Sequence, residues 1–169
     1  SLAHQHYHLQ PYPVPYWTLY IFLAVSSVLM GSLWSAKLFV ALCLLCLPFG
    51  VMRLLWVLGK DPKIGLLSFL VIWDFNLFWG YVSYHLGVGL VFWCLSYLVQ
   101  VKDWRTLFKV TPLFLLAALT HAQSYGLLVL SAFAILPAFS NWRIRAKYHA
   151  AAIFLGGAPL IPWLLASAM

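Results

Sequence analysis

The residues whose chemistry stands out most lie in one stretch, residues 72–87, at the junction of two apolar segments. Asp74 is the only acidic residue inside an apolar run of this chain, and Asn76 and His85 follow it closely. An ionised carboxylate inside an apolar segment is expensive unless it has a partner, a water-filled cavity or a function. Two interpretations stand side by side: Asp74 belongs to a site, or it pairs with Arg53 for structural reasons.

Histidines form a second group of candidate residues. His4, His6 and His8 alternate in a segment whose prolines exclude a helix and favour an extended path. Three imidazoles on one side can bind a metal ion, although no carboxylate or cysteine stands near them. The alternative is a solvated loop at a membrane surface. His85 and His121 stand at predicted helix ends, where a polar cap is the structural alternative to a chemical role.

The composition indicates which kind of element must position these residues. Of the 169 residues, 64% are hydrophobic and 8% are charged, whereas typical soluble domains carry about 25% charged residues. The mean hydropathy is +0.93. These values predict an all-α, polytopic integral membrane helix bundle whose main partner is the lipid bilayer. The net charge of +7 does not require a nucleic acid, because eight of the ten Lys and Arg residues lie in three short connectors.

Apolar runs and connectors together predict the topology. The three basic connectors are residues 59–63, 102–109 and 140–147. They are separated by two crossings each, so all three are assigned to the cytoplasmic side. The uncharged turns at 80–86 and 120–124 then face the other side. Residues 16–30 are shorter than the roughly 20 residues that a bilayer core takes, so we expect an interfacial helix there. The six predicted crossings are residues 37–58, 64–79, 87–101, 110–120, 125–139 and 148–168.

We expect two parts in the chain: residues 1–15 as the end of an extracytoplasmic loop, and residues 16–169 as a single transmembrane helical domain. The sequence begins at Ser1 without a methionine and stops at Met169 inside an apolar run, which predicts a fragment of a larger membrane protein. We expect this protein in a bacterial or archaeal cell membrane, with its site on the extracytoplasmic face. Other membrane subunits are further expected partners.

Three short motifs carry a resemblance to a known class of enzymes. Residues 8–13 (HLQPYP) lead into a short helix, residues 35–38 (SAKL) open a long one, and residues 76–87 (NLFWGYVSYHLG) form a turn. This turn resembles the N-x-x-x-x-G-F-x-N-x-x-x-G turn of the GT-C class of glycosyltransferases, with Tyr81 and Ser83 replacing Phe and Asn and with three residues instead of four between Asn76 and Gly80. The resemblance implies a polytopic, mannosyltransferase-like enzyme that uses a polyprenyl-phosphate-linked sugar on the extracytoplasmic side.

The resemblance also implies roles for individual residues. Asp74 and His85 would be catalytic, shaping the acceptor pocket, and His6 or His8 would face the lipid phosphate. The implied substrate-binding residues are His6, His8, Tyr12, Asn76, Trp79, Tyr81 and His121. The class places a catalytic acid early in its first external loop, but residues 1–15 contain no Asp or Glu. That acid would precede Ser1, or the chain is a non-catalytic relative. The resemblance implies no definite cofactor for this chain, although the full-length protein can use a divalent cation.

Two further interpretations fit the same residues. A transporter or permease fragment would use Asp74 as a proton carrier and a broken helix around Pro48. A non-catalytic structural subunit would instead pack against a partner, with glycine pairs such as Gly87 and Gly89 as points of close approach. Trp79 and Tyr81 also have a structural alternative, as members of the aromatic belts at membrane surfaces.

Overall fold

The computed structural model of the protein describes residues 16–73 and 81–167, and within these ranges it is all-α. Seven α-helices and three 3₁₀-helices make up its regular structure. The α-helices are α1 (Trp17–Met30), α2 (Ser32–Val57), α3 (Val82–Leu98), α4 (Trp104–Thr120), α5 (Ala122–Ala134), α6 (Trp142–Gly157) and α7 (Ile161–Ser167). The 3₁₀-helices are Pro62–Leu70, Leu136–Ala138 and Ala158–Leu160. The predicted all-α class is confirmed.

Helices α1 and α2 form a hairpin around Gly31. This glycine has φ 78° and ψ 160°, a conformation that a residue with a Cβ atom rarely adopts, so it ends α1 where the sequence predicted. Its N–H donates to the Ser27 carbonyl at 2.9 Å, and its own carbonyl accepts from the Ser35 hydroxyl at 2.8 Å. The rings of Phe22 and Phe39 then pack 5.3 Å apart and hold the two helices together.

Two helical segments are long and apolar enough to cross a membrane, judged by length and composition. They are Ser32–Val57, which stays helical through Pro48, and Trp142–Ala166, which joins α6, a 3₁₀ turn and α7. Three further apolar helices are shorter, with 10–17 residues. The structure thus supports two candidate spans out of the six predicted crossings. Length and composition alone are weak grounds for assigning a membrane protein.

The chain returns from the end of α2 in a form that the sequence did not predict. A regular helix was expected over residues 64–79, but the described part of this segment is the 3₁₀-helix Pro62–Leu70, followed by a turn. Asp61 caps its start by accepting from the Lys63 N–H at 2.9 Å. Gly65 then lies so close to Met52 that a Cβ atom would sit 2.9 Å from the Met52 nitrogen. Nine residues of 3₁₀-helix rise about 18 Å, well short of a bilayer core of about 30 Å.

Glycines set the contact between α2 and α3. A Cβ atom on Gly89 would lie 2.7 Å from both the Cys46 carbonyl carbon and the Leu47 amide nitrogen. A Cβ atom on Gly50 would lie 2.8 Å from the Gly89 carbonyl oxygen. The backbones of the two helices therefore touch directly, and Cys46 and Gly50 of α2 meet successive turns of α3, which makes the helices parallel.

Two more glycines bring other helices close together. A Cβ atom on Gly87 would lie 2.6 Å from the Ser124 Cβ atom of α5, and one on Gly156 would lie 2.5 Å from the Phe114 Cβ atom of α4. Sequence reasoning assigned such glycines, in one of its interpretations, to packing against a partner subunit. In the structure these two residues pack within the chain, because small residues let neighbouring helix backbones approach each other.

The basic connectors meet at one end of the bundle. The Arg145 guanidinium donates to the Val99 carbonyl at 2.7 Å, which joins the start of α6 to the end of α3. Arg53, near the end of α2, lies 4.2 Å from the centroid of the Tyr97 ring, near the end of α3. We call this end of the molecule the basic end. The expected grouping of the three connectors on one side agrees with these contacts.

A core of buried side chains connects α3, α4, α5 and α6. Phe114, Leu98, Leu107 and Leu128 are fully buried within it. His149 is also buried, at 1% exposure, and its Nδ1 atom lies 2.7 Å from the Ala132 carbonyl oxygen. This core fixes the relative positions of the helix ends that form the site described next.

Candidate functional site

Three tyrosines and a histidine come together at the end of the bundle opposite the basic end. Tyr16 precedes α1, Tyr81 and Tyr84 stand at the start of α3, and His121 links α4 to α5. We call these four residues the tyrosine cluster. Helix α3 runs from this cluster toward the basic end over 17 residues, a rise of about 25 Å.

Two adjoining cavities of about 420 and 220 Å³ open at the tyrosine cluster. The larger cavity is lined by Tyr16, Tyr81, Tyr84, His121, Ala122 and Gln123. The smaller cavity is lined by Tyr16, Leu19, Tyr20, Tyr81, Ser83, Tyr84 and His121. Because all four cluster residues line both, the two cavities form one site.

His121 is the centre of this site. Its Nε2 atom lies 3.3 Å from the Tyr16 hydroxyl, and its ring meets the Tyr16 and Tyr84 rings edge-on at centroid distances of 5.2 and 5.3 Å. The side chain is 5% exposed, and burial lowers the pKa of its imidazole below the usual value of about 6.5. The buried Nδ1 atom has no hydrogen-bond partner within the described part of the chain.

The neutral form of His121 suits the observed contacts. If the Tyr16 hydroxyl donates to Nε2, Nδ1 carries the proton and is left as an unused buried donor. A buried donor without a partner is destabilising by roughly 1–3 kcal/mol. In this arrangement the imidazole accepts a hydrogen bond from Tyr16 at Nε2 and keeps an unused donor at Nδ1.

Local structure explains how the chain holds His121 in this position. Its backbone is extended, with φ −163° and ψ 127°, so α4 ends directly before it and α5 begins directly after it. The neighbouring Thr120 hydroxyl lies 2.6 Å from the Leu116 carbonyl and 3.0 Å from the Thr18 hydroxyl, which ties α4 to α1. On the other side, the Ser124 hydroxyl donates to the Tyr84 carbonyl at 3.4 Å.

Tyr16 adopts an unusual backbone conformation. Its φ of 82° lies in the left-handed region, which costs an L-residue with a side chain about 1–2 kcal/mol. No other non-glycine residue in the described ranges has a positive φ. Such strain is most often found at sites where a side chain must point in a particular direction. Here it accompanies the contact between the Tyr16 hydroxyl and His121.

The sequence-predicted site residues divide into three groups. Tyr81 and His121 line the cavities, and Tyr81 is 52% exposed. His85 is 3% exposed and is not among the lining residues, although its ring is 6.3 Å from the ring of Tyr84. The remaining predicted residues lie outside the described ranges: His6, His8, Tyr12, Asp74, Asn76 and Trp79.

Of the nine residues that line the two cavities, the sequence predicted Tyr81 and His121 and missed the other seven. Tyr16 and Tyr84 contact His121 directly, and Gln123 lines the larger cavity. Tyr81 and Tyr84 are three positions apart, the spacing that places two side chains on one face of a helix, and this signal was available. Tyr16 gave no comparable signal, because it is one of several aromatic residues near a predicted helix start.

An apolar groove of about 720 Å³ adjoins the site. It runs between α1, α2, α3 and α4. Its lining residues are Thr18, Phe22, Phe39, Leu42, Leu45, Cys46, Phe49, Leu86, Leu90, Trp93, Leu113 and Leu116. Thr18 is two residues from Tyr16, and its hydroxyl bonds to Thr120, the residue next to His121. The groove therefore begins directly beside the tyrosine cluster.

The chemistry of the site is polar but largely uncharged. The lining residues of both cavities include no Lys, Arg, Asp or Glu. Tyrosine rings offer flat apolar faces together with hydroxyl groups, a combination that suits a ligand with both apolar and hydroxyl-bearing surfaces. Within residues 16–73 and 81–167, no three His, Cys, Asp or Glu side chains stand close enough to hold a metal ion. A divalent cation in the full-length protein stays a prediction.

Arg53 lies over two aromatic rings of α3. Its guanidinium is 5.4 Å from the centroid of Trp93 and 4.2 Å from that of Tyr97. The expected partner Asp74 lies outside the described residues, so their pairing stays a prediction. Aromatic faces attract a cation without a hydrogen bond.

Comparison of the chain with protein-family models, with curated proteins and with solved structures finds no match.

Proposed function

We propose that this chain is the membrane-embedded core of a GT-C-type glycosyltransferase, which takes a sugar from a lipid-phosphate donor on the extracytoplasmic face. In this proposal the chain crosses the membrane six times, with the basic end in the cytoplasm and the tyrosine cluster on the opposite side. Residues 64–79 are the second crossing in this topology, and their described part contains most of the 3₁₀-helix Pro62–Leu70. The class assignment depends on the sequence motifs, and the membrane location depends on two further features.

Exposed apolar surface supports the membrane location. In the most apolar 18-residue stretch of each candidate span, only 28% (Ser32–Val57) and 22% (Trp142–Ala166) is buried. The core helix of a soluble protein would be mostly buried. Large side chains such as Val28, Leu29, Leu130 and Phe154 are 65–83% exposed. Extensive apolar surface of this kind needs a lipid or protein environment. The grouping of basic residues at one end adds the charge asymmetry of a membrane protein.

One observation carries the proposed substrate class: a polar cavity of tyrosines and histidine opens beside an apolar groove of about 720 Å³. A lipid-linked sugar has the same division between a hydroxyl-rich head and a hydrocarbon tail. The head would lie on the faces of Tyr81 and Tyr84, and the tail would follow Phe22, Phe39 and Leu90 along the groove. Burial of the tail contributes about 0.8 kcal/mol for each CH₂ group.

The reaction proposed for this site is a displacement at the anomeric carbon. The bond between that carbon and the phosphate oxygen breaks, and a bond to an acceptor hydroxyl oxygen forms. The acceptor hydroxyl loses its proton, and the lipid phosphate leaves with the bonding electron pair. The His121 Nδ1–H would donate to a phosphate oxygen while the Tyr16 hydroxyl donates to Nε2, and Asp74 would orient or deprotonate the acceptor.

Binding in lipid nanodiscs tests the substrate class. A polyprenyl-phosphate sugar should bind, and His121→Gln should weaken that binding by roughly tenfold or more, because a hydrogen bond to a charged group contributes about 1.5–3 kcal/mol. Thr111→Ala, on α4 and outside the lining of both cavities, is the matched control and should leave binding unchanged. The substrate assignment would be wrong if the donor bound no better than a polyprenol of equal length.

Transfer activity is tested separately in the full-length protein. Asp74→Asn should keep the melting temperature and donor binding but abolish transfer to an acceptor, since only the acceptor step uses this carboxylate. Undiminished transfer by Asp74→Asn would exclude the proposed acceptor role. Donor binding without any transfer in the unaltered full-length protein would instead identify a non-catalytic relative or a carrier.

A further inference from the structure

A further cavity, of about 550 Å³, lies toward the basic end of the bundle. Its lining residues are Tyr97, Thr106, Lys109, Val110, Pro112, Leu113 and Leu116. Leu113 and Leu116 also line the apolar groove described above, so the cavity continues into that groove. Thr106 and Lys109, in the first turns of α4, make the part of the cavity nearest the basic end polar.

Arg53 stands behind this cavity. Its guanidinium lies between Trp93, which lines the groove, and Tyr97, which lines the cavity. The Nε atom of Arg53 is buried and has no hydrogen-bond partner among the described residues. Aromatic ring faces attract the guanidinium. Its positive charge therefore lies directly behind the Tyr97 ring that lines the cavity.

The acidic side chains near this end have other roles. The Asp61 carboxylate accepts from the Lys63 N–H at 2.9 Å, and the Asp103 carboxylate accepts from the Thr106 N–H at 2.7 Å. Both are helix caps in exposed connectors. Lys109 is exposed, and no ion pair between two described residues neutralises it or Arg53. The cavity lining thus has one positive charge, that of Lys109, next to an apolar channel.

We infer that this cavity binds an anionic phospholipid, with its phosphate at Lys109, the charge of Arg53 behind the Tyr97 ring, and its acyl chain along Leu113 and Leu116. The basic side chain at the mouth and the apolar continuation match the two parts of such a lipid, and basic pockets between helices on the cytoplasmic side bind lipid head groups in this way. Lys109, at the charged end of this cavity, lies toward the basic end and does not line the cavities of the tyrosine cluster. The phospholipid site depends on the proposed membrane location but not on the proposed reaction.

Lipid selectivity in detergent solution tests the inference. The protein is titrated with phosphatidylglycerol and, in parallel, with phosphatidylcholine of the same chain length, and bound lipid is measured by native mass spectrometry. Phosphatidylglycerol should bind at least tenfold more tightly. Lys109→Gln should reduce this preference about fivefold, which corresponds to the roughly 1 kcal/mol that one basic side chain contributes near an anionic surface.

A matched variant separates a defined site from diffuse charge attraction. Lys60→Gln removes the same charge from the same end of the molecule, and Lys60 is exposed and does not line the cavity. It should leave the preference unchanged. Equal losses in Lys60→Gln and Lys109→Gln, or equal binding of the two lipids, would overturn the inference. Lys109 is exposed, so its replacement does not require the core to adjust.

Two further measurements show whether the bound phosphate belongs to a lipid, and whether a negative result refutes the phospholipid site alone or also the membrane location. Inorganic phosphate at millimolar concentration should not displace phosphatidylglycerol; displacement would reveal a site for a soluble anion rather than a lipid. The purified protein is also mixed with phosphatidylcholine vesicles and floated on a density gradient. Flotation without lipid selectivity would refute the phospholipid site alone. Absence of flotation would refute both the site and the membrane location proposed above.

Discussion

Replacing Gly89 with alanine should separate α2 from α3 and destabilise the fold. The added Cβ atom would stand 2.7 Å from two backbone atoms of α2, in Cys46 and Leu47, a distance that real Cβ contacts do not show. Backbone atoms cannot turn aside as a side chain can, so the helices must move apart. Overpacking of this kind typically costs about 1–3 kcal/mol.

A second glycine provides the control for this substitution. Gly126 is also helical, in α5, but a Cβ atom there would have no neighbour within 4 Å. Both substitutions gain the same helix propensity of about 0.8–1 kcal/mol, so the difference between the two variants isolates the packing term. Since 1 kcal/mol shifts the melting temperature by about 2–4 °C in a chain of this size, Gly89→Ala should melt roughly 2–12 °C below Gly126→Ala.

Thermal unfolding of both variants in the same detergent measures this difference. Gly126→Ala should melt at or slightly above the temperature of the unaltered protein. Gly89→Leu, with a larger side chain, should lower the temperature further than Gly89→Ala does. If Gly89→Ala and Gly126→Ala melted together, the direct backbone contact between α2 and α3 would be refuted, and with it the parallel pairing that positions Tyr84.

Two predictions concern titratable groups outside the candidate spans. The Thr106 N–H holds the pKa of the Asp103 carboxyl below its usual value, so its stabilising effect is present above about pH 4 and is lost as the pH falls through the lowered pKa. Asp103→Ala should lower the melting temperature at pH 7 by a few degrees, whereas Asp103→Asn, which keeps a capping oxygen, should not; equal losses would contradict capping. Burial lowers the pKa of His121, so the unfolded chain takes up the proton first as the pH falls below about 6.5. The melting temperature should therefore drop between pH 7.5 and 5.5, and His121→Gln should show a smaller drop; identical pH profiles would contradict this.

Helix ends with strong local signals were predictable from the sequence. Gly31 ends α1 as predicted, because its backbone conformation requires glycine. Asp103 caps the first turn of α4 and starts this helix at Trp104, before the predicted crossing 110–120, so its signal was present but unused. Both signals lie within a few residues of the feature that they determine. The same holds for the basic connectors, since charge alone separates them from the apolar runs.

Contacts between distant residues were not predictable in the same way. Tyr16 and His121 are 105 positions apart, and their contact depends on how α1 packs against α4. Tyr84 reaches His121 because Gly87 lets α5 approach α3, and no local pattern specifies which helix fills that space. The 3₁₀ path after α2 was missed for a related reason, because hydropathy does not distinguish a 3₁₀ segment from an α-helix of the same composition.

The distribution of charge explains why a histidine, and not a lysine, suits position 121 in the tyrosine cluster. A lipid-phosphate donor brings negative charge to the tyrosine cluster. The lining of the larger cavity there has no Lys or Arg side chain to offset that charge. A permanently charged lysine at position 121 would be costly when the site is empty, because the position is buried. A neutral imidazole avoids that cost, and an adjacent phosphate would raise its pKa and favour protonation. Donor binding and proton uptake at His121 are therefore coupled in the proposed function.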